Sequence, residues 1–335
     1  ITAAGFLGKL RKAAAASALS PAAWVENVRV SGDVNLQLLA VDGPLRVRDV
    51  EFMGRVVLDE CRRGASVVLE RCRIARSLEA RNCVIDGDLV LRSTVVLGAT
   101  ADVDPLPPAV CLEGLRLTGG LDAQQMAVLG EFAAPNADIG GKAALCGMHQ
   151  ARRFDRELAG VTMPNASVKA GVDLSPHAAF DAVARRVSRT RIEGQVKLAG
   201  LQAPQVDMRG AACLEVDLSW ARLDGLFNLG TFDPSPANPH AIGNRQMRAI
   251  VQWDVNLRGA HAREIVLAGA RVIAGDMTMI NAEIDGSLFA RPGMPPAYRT
   301  RIGNAVTLSS ARIRGDADFD GASIGGALEM RTGSL

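Results

Sequence analysis

Ile313-Arg314-Gly315-Asp316-Ala317-Asp318-Phe319 is followed 11 residues later by Ile324-Gly325-Gly326-Ala327-Leu328-Glu329-Met330. Both stretches read apolar, any, Gly, any, apolar, any, apolar. The same pattern stands at Val30-Ser31-Gly32-Asp33-Val34-Asn35-Leu36 and at Ile85-Asp86-Gly87-Asp88-Leu89-Val90-Leu91. A short fixed period is the signature of a solenoid, in which each repeat buries its apolar face against its neighbours.

Working outward, the lead apolar position recurs at Val41, Phe52, Ile74, Leu117, Val128, Ile139, Val168, Ile192, Leu223, Ile273, Ile284 and Ile302. The register blurs near residues 63, 96, 150 and 180. Alternation with a period of two predicts strands with one face inward. A helix would be penalised by a glycine in nearly every unit. Eleven residues cannot close a coil around an apolar core, so two units, about 22 residues, make one turn. The expected fold is therefore an all-β parallel β-helix solenoid. Its roughly 24 units make about 12 coils, a rod about 60 Å long at ~4.8 Å per layer. Residues 1–24 are expected to form an α-helical cap on the first coil, with Phe6, Leu7 and Leu10 on one face and a break at Ser20-Pro21. Residues 25–335 form the β-helix.

The units also contain Asn136-Ala137-Asp138-Ile139-Gly140, Asn281-Ala282-Glu283-Ile284-Asp285, Ser310-Ala311-Arg312-Ile313-Arg314 and Gly321-Ala322-Ser323-Ile324-Gly325. From about Val28 to Met330 the chain thus resembles the pentapeptide-repeat family, which places a small Ala two residues before a central Leu or Phe. The resemblance implies a right-handed, four-sided β-helix. Only one side of each unit follows the five-residue pattern; the other is a six-residue Gly-x-apolar-x-apolar side. A widened or three-sided coil therefore stays open.

Composition bounds the chemistry. Apolar residues make up 48 % of the chain and charged residues 22 %, ordinary for a folded domain. The net charge of +2 implies no strong field for nucleic acid. It also argues against the DNA mimicry by which some pentapeptide-repeat proteins act on topoisomerases. Only five basic residues are lysines; the other 33 are arginines, spread along the chain. No run of 18 apolar residues predicts a membrane span, and a cytoplasmic location is expected. Six cysteines are too few for a disulfide scaffold. Cys61, Cys72 and Cys83 follow the repeat, so reduced, small core residues are expected. No cofactor and no metal site is expected.

Four segments break the register, near residues 100–110, 148–160, 231–249 and 291–300. Prolines such as Pro105, Pro107, Pro234, Pro236, Pro292 and Pro295 take them out of the ladder. By unit count all four leave after odd-numbered units, which places them along one edge. Inserts on a rigid scaffold often mark its binding face. The candidate binding residues are Arg152, Arg153, Phe232, His240, Tyr298 and Arg299. Ser175-Pro176 is expected to open a short helical excursion reaching Arg185 and Arg186.

No P-loop, GxGxxG after a strand, HExxH or GxSxG is present. The leading expectation is a non-enzymatic scaffold that engages a macromolecular partner, most simply a protein, through the insert edge. No polar cap follows the last unit, so self-association through the C-terminal coil, or continuation of the chain, is also expected. A carbohydrate-active β-helix enzyme is the first alternative, and a topoisomerase-directed protein of the pentapeptide-repeat type the second. The enzyme would need converging acids, and Asp316 with Asp318, or Asp233 with His240, are its candidates.

Overall fold

A computed structural model describes residues 1–17, 24–37, 43–98, 106–153, 158–178, 187–232, 247–293 and 298–331. Short parallel strands stack in register every 22 residues in the regular stretches, as in Val34, Val56 and Leu78. The pairings fall into four ladders. Ladder I runs from Arg29–Val30 to Ser323–Ile324 and ladder II from Val34–Asn35 to Leu328–Glu329; each is a parallel sheet of 12 strands. Ladder III runs from Arg62–Arg63 to Arg312–Ile313, and ladder IV from Val25–Glu26 to Ala317–Asp318. Ladders III and IV count as one sheet of 20 strands, because Arg222–Asn228 and His261–Val266 each run through both.

Each pass through the four ladders turns two residues inward per side. Along one pass these are Cys72 and Ile74, Leu78 and Ala80, Cys83 and Ile85, then Leu89 and Leu91, all at most 1 % exposed. Burying one such aliphatic side chain stabilises by about 1.5–3 kcal/mol, and the layers together form one continuous core. Between ladders II and III the chain turns through a residue with left-handed backbone, as at Asn82, Asn136, Asn165 and Asn281 (φ 51 to 57°). Asparagine tolerates that region. The next residue is fully enclosed; it is small in most coils, as at Cys83, Ala137, Ala166 and Ala282, and leucine at Leu115 and Leu201.

Where the register blurs near residues 63, 96 and 150, the chain stays in the ladders. Arg63, Val96 and Gln150 all occupy inward positions and are buried. The guanidinium of Arg63 donates to the Leu36 carbonyl, and burial lowers its pKa.

The first coil is covered by α1 (Ala3–Ser17). Ala-rich sequence favours the helix, and the Thr2 hydroxyl accepts from the Gly5 amide at its start (3.2 Å). The buried stripe is Phe6, Leu10 and Ala14. Leu7, expected on that face, is only partly buried. Phe6 meets Phe52 edge-to-face at 5.2 Å. The helix ends at Ser17, and residues 18–23 lie outside the described residues. Among the described residues no helix is long and apolar enough to cross a membrane.

Three expectations need correction. His177–Ala178 is a strand, not the start of a helix; it pairs antiparallel with Val187–Ser188. The excursion thus leaves as a two-stranded ribbon, as does the one based on Thr231–Phe232 and Met247–Arg248. Second, Cys61 and Cys83 are paired as a disulfide; the 22-residue period stacks them one above the other. The other four cysteines are free and buried. Third, the excursions do not share one edge. Those at residues 99–105 and 154–157 lie between ladders I and II. Those at 233–246 and 294–297, with 179–186, lie between ladders IV and I. Each 11-residue unit spans two sides, so a count of units cannot tell an excursion inside a unit from one between units. The excursions are also shorter than expected: His149–Ala151, Val110–Cys111 and Ala159–Thr162 remain in the ladders.

Candidate binding face

Ladder I is the side bordered by both excursion corners. Its outward positions alternate with the buried ones, and across the middle strands many are aliphatic: Val95, Leu97 and Leu129, then Leu214, Ile250 and Ile273, with His149, Arg191, Glu193 and Arg271 among them. These side chains are half-buried or exposed. Aliphatics on the solvent side of a sheet run against the alternation that a half-buried strand requires.

A groove of about 410 Å³ opens on this face. Its floor is Ala212 and Leu214; Arg152, Arg191 and Glu193 form one wall, and Gln252 and Trp253 the other. Ala212 makes the groove, since larger residues fill equivalent positions above and below it. Arg191 and Glu193 pair at 3.5 Å on the same strand. Trp253 is 42 % exposed.

Arg152 is the predicted binding residue that lines this groove. Arg153 instead packs over the glycine corner at Gly130 and donates to the Pro107 carbonyl at 2.7 Å, which holds the chain where it rejoins ladder II. Phe232, Tyr298 and Arg299 sit at the opposite corner. The Arg209 guanidinium lies 5.9 Å from the Phe232 ring and that of Arg248 lies 5.6 Å from the Tyr298 ring. Arg248 also donates to the Arg299 carbonyl at 2.9 Å, and Arg189 to the Arg248 carbonyl at 2.5 Å. Burial lowers the pKa of both arginines. They fasten one excursion to the next up the rod. His240 and Asp233 lie outside the described residues.

At the corner between ladders IV and I, a glycine lies beneath the residues that flank each excursion: Gly147, Gly210 and Gly269. Gly147 has φ +68°, and a Cβ there would lie 2.6 Å from that of His177. Gly269 has φ +77°, and a Cβ would lie 2.2 Å from the Thr231 hydroxyl. After two of the excursions a threonine replaces the small residue. Thr300 accepts from the Gly269 amide (2.9 Å) and donates to the Leu267 and Arg291 carbonyls (3.0 and 2.8 Å). Thr190 accepts from Gly147 and donates to Ser175. Sequence reading passed over both threonines, although each stands two residues before a lead isoleucine.

Covalent chemistry finds little support here. Cys146 approaches His177 (Sγ to Nδ1 3.7 Å). Burial pushes the Cys146 thiol up to about 11, and burial together with Arg92 lowers the His177 pKa. Both groups are neutral at pH 7, and a neutral thiol is a poor nucleophile. Asp316 and Asp318 sit on the outward side of ladder IV, where Asp318 caps the Asp320 amide (2.9 Å). Among the described residues no three His, Cys, Asp or Glu side chains converge as a metal set.

The chain matches no family model, no curated protein and no solved structure.

Proposed function

We propose that this protein is a non-enzymatic scaffold that holds a protein partner against ladder I. The reading rests on one observation: the aliphatic outward row and the groove between Arg152 and Trp253 lie on the one ladder flanked by both sets of excursions. The scaffold behind that face is read as a right-handed, four-sided parallel β-helix of about 12 coils, of the pentapeptide-repeat type. Four ladders and a small enclosed residue two positions before many of the lead residues, such as Ala137, Ala166, Ala282 and Ala311, support that reading. Apolar side chains on the face supply the area to be buried, and Arg191, Glu193 and Arg152 supply the polar rim of a protein interface.

The test compares three versions as bait: the native protein, Leu214→Glu in the groove floor, and Arg312→Glu on ladder III as a control. A protein retained by the native and control baits and lost with Leu214→Glu supports the reading. Equal retention by all three overturns it.

A further inference from the structure

Ladder II changes character along the rod. In the first coils its carboxylates have arginine partners: Asp33 with Arg55 (3.0 Å), and Asp59 and Glu79 with Arg81 (3.0 and 2.7 Å). Further along, Glu215, Asp217, Asp254 and Asp276 have no Lys or Arg nitrogen within 4 Å among the described residues. Lys197 and Arg258 stand nearby without pairing to them. The four carboxylates are nevertheless held in place. Glu215 accepts from the Gln195 amide (2.6 Å), and Asp217 from Asn256 and the Ser219 amide (3.1 and 3.0 Å). Asp254 accepts from the Asp276 amide (2.7 Å) and Asp276 from the Ala305 amide (3.0 Å). Each bond engages one oxygen of its carboxylate and restrains the side chain.

Two tryptophans frame this row. Trp253 stands where ladder I gives way to ladder II, and Trp220 where ladder II gives way to ladder III. Trp220 is 61 % exposed and lies over Gly259, with left-handed backbone (φ 59°). Asp217 also closes one end of a trough of about 570 Å³ on the same side. The trough is floored by Cys111, Ala133 and Thr162, with Pro108, Pro135 and Pro164 on its walls; Arg81, Glu113, Glu131 and Lys197 also line it, but most of its surface is apolar.

We propose that ladder II binds an extended polypeptide segment whose one half is small and apolar and whose other half is rich in Lys and Arg. The apolar half lies in the trough. The basic half lies over the carboxylates, between tryptophan faces that attract cations by their ring quadrupole. Unpaired carboxylates favour a cationic occupant, and pre-oriented ones bind it at less entropic cost. From the strand at Val110 to that at Met277 there are seven layers, about 29 Å at ~4.8 Å per layer. An extended segment of about nine residues at ~3.3 Å each covers that span. The surface meets the ladder I groove at Trp253, but the proposal does not depend on what that groove binds.

The probe is a fluorescein-labelled peptide of about nine residues, alanine- and valine-rich in one half and lysine- and arginine-rich in the other, made in both chain orders. Fluorescence polarisation is read with the native protein, with the triple variant Asp217→Asn, Asp254→Asn and Asp276→Asn, and with Trp253→Ala. Asparagine keeps the oxygen that caps the backbone, so the triple variant retains its fold, checked by circular dichroism. The expected result is binding by at least one chain order that weakens tenfold or more in the triple variant and in 0.5 M salt. Arg312→Glu, on ladder III, leaves it unchanged. Equal binding of a peptide with Glu in place of Lys and Arg, or unchanged affinity in the triple variant, overturns the proposal. So does binding of a neutral xylo-oligosaccharide where neither peptide binds.

Discussion

Gln150 occupies an inward position that other coils give to Ile74, Val128 or Ile192, and it is fully buried. Its amide donates to the Gly130 and Ala151 carbonyls (3.0 Å each) and accepts from the Gly194 amide (3.1 Å). It therefore supplies hydrogen bonds that the ladder loses where the chain leaves for the 154–157 excursion. Gln150→Leu would fill the space but orphan all three groups; the expected loss is about 2–4 kcal/mol, read from denaturant unfolding. Trp220 shows the opposite balance. A bulky residue with φ 59° is strained, so Trp220→Asn is expected to stabilise the fold by about 1 kcal/mol. The same change should weaken the basic peptide. A gain in stability with loss of binding would mark the strain as serving the surface rather than the fold.

At the scale of elements, α1 closes the first coil through few side chains. Phe6→Ala removes the one aromatic that reaches Phe52, with an expected cost of about 3–5 kcal/mol. Proteolysis inside α1 at low protease would report its release; unchanged protection would show that Leu10 and Ala14 hold it alone. Ladder IV carries a pH-dependent contact. Burial acts to raise the Asp173 pKa, but the bonds from Lys142 (2.6 Å) and Ser175 (2.9 Å) outweigh it, and the net shift is downward. A depressed carboxyl contributes fully above its unfolded value of ~3.9 and loses that contribution as pH falls through the folded value. Asp173→Asn should flatten the acid limb of the stability curve below about pH 4 and leave its shape near neutrality intact.

For the whole molecule, one continuous core means that thiols report on global rather than local opening. Burial pushes Cys72 and Cys213 up to about 12, and Cys146 up to about 11. These three should not react with Ellman's reagent at pH 8 until the fold opens. After denaturation without reductant four thiols should titrate, because Cys61 and Cys83 are joined. Six would show that the stacked pair is reduced.

Sequence alone determined the period, the inward positions and the parallel strand architecture. Ile284, Leu288 and Ala290 are buried as the alternation required, because burying one face of a strand admits only one register. It also placed an amphipathic helix at the start. What only the tertiary structure decided was which side of the coil each residue faces. Arg152 and Trp253 lie about a hundred positions apart in the chain and share a groove; Glu215, Asp254 and Asp276 form one row, with Asp217 two positions along the strand, although irregular spacings separate them. Those spacings include excursions of unequal length, and the number of sides per turn follows from how strands stack. Tyr298 and Phe232 looked free for binding in the sequence. The arginines that cover their rings come from residues 50 and 23 positions earlier, brought there by the coil. Local pattern fixes which face is buried. Contact between coils fixes what the exposed faces assemble, and pattern carries no record of that.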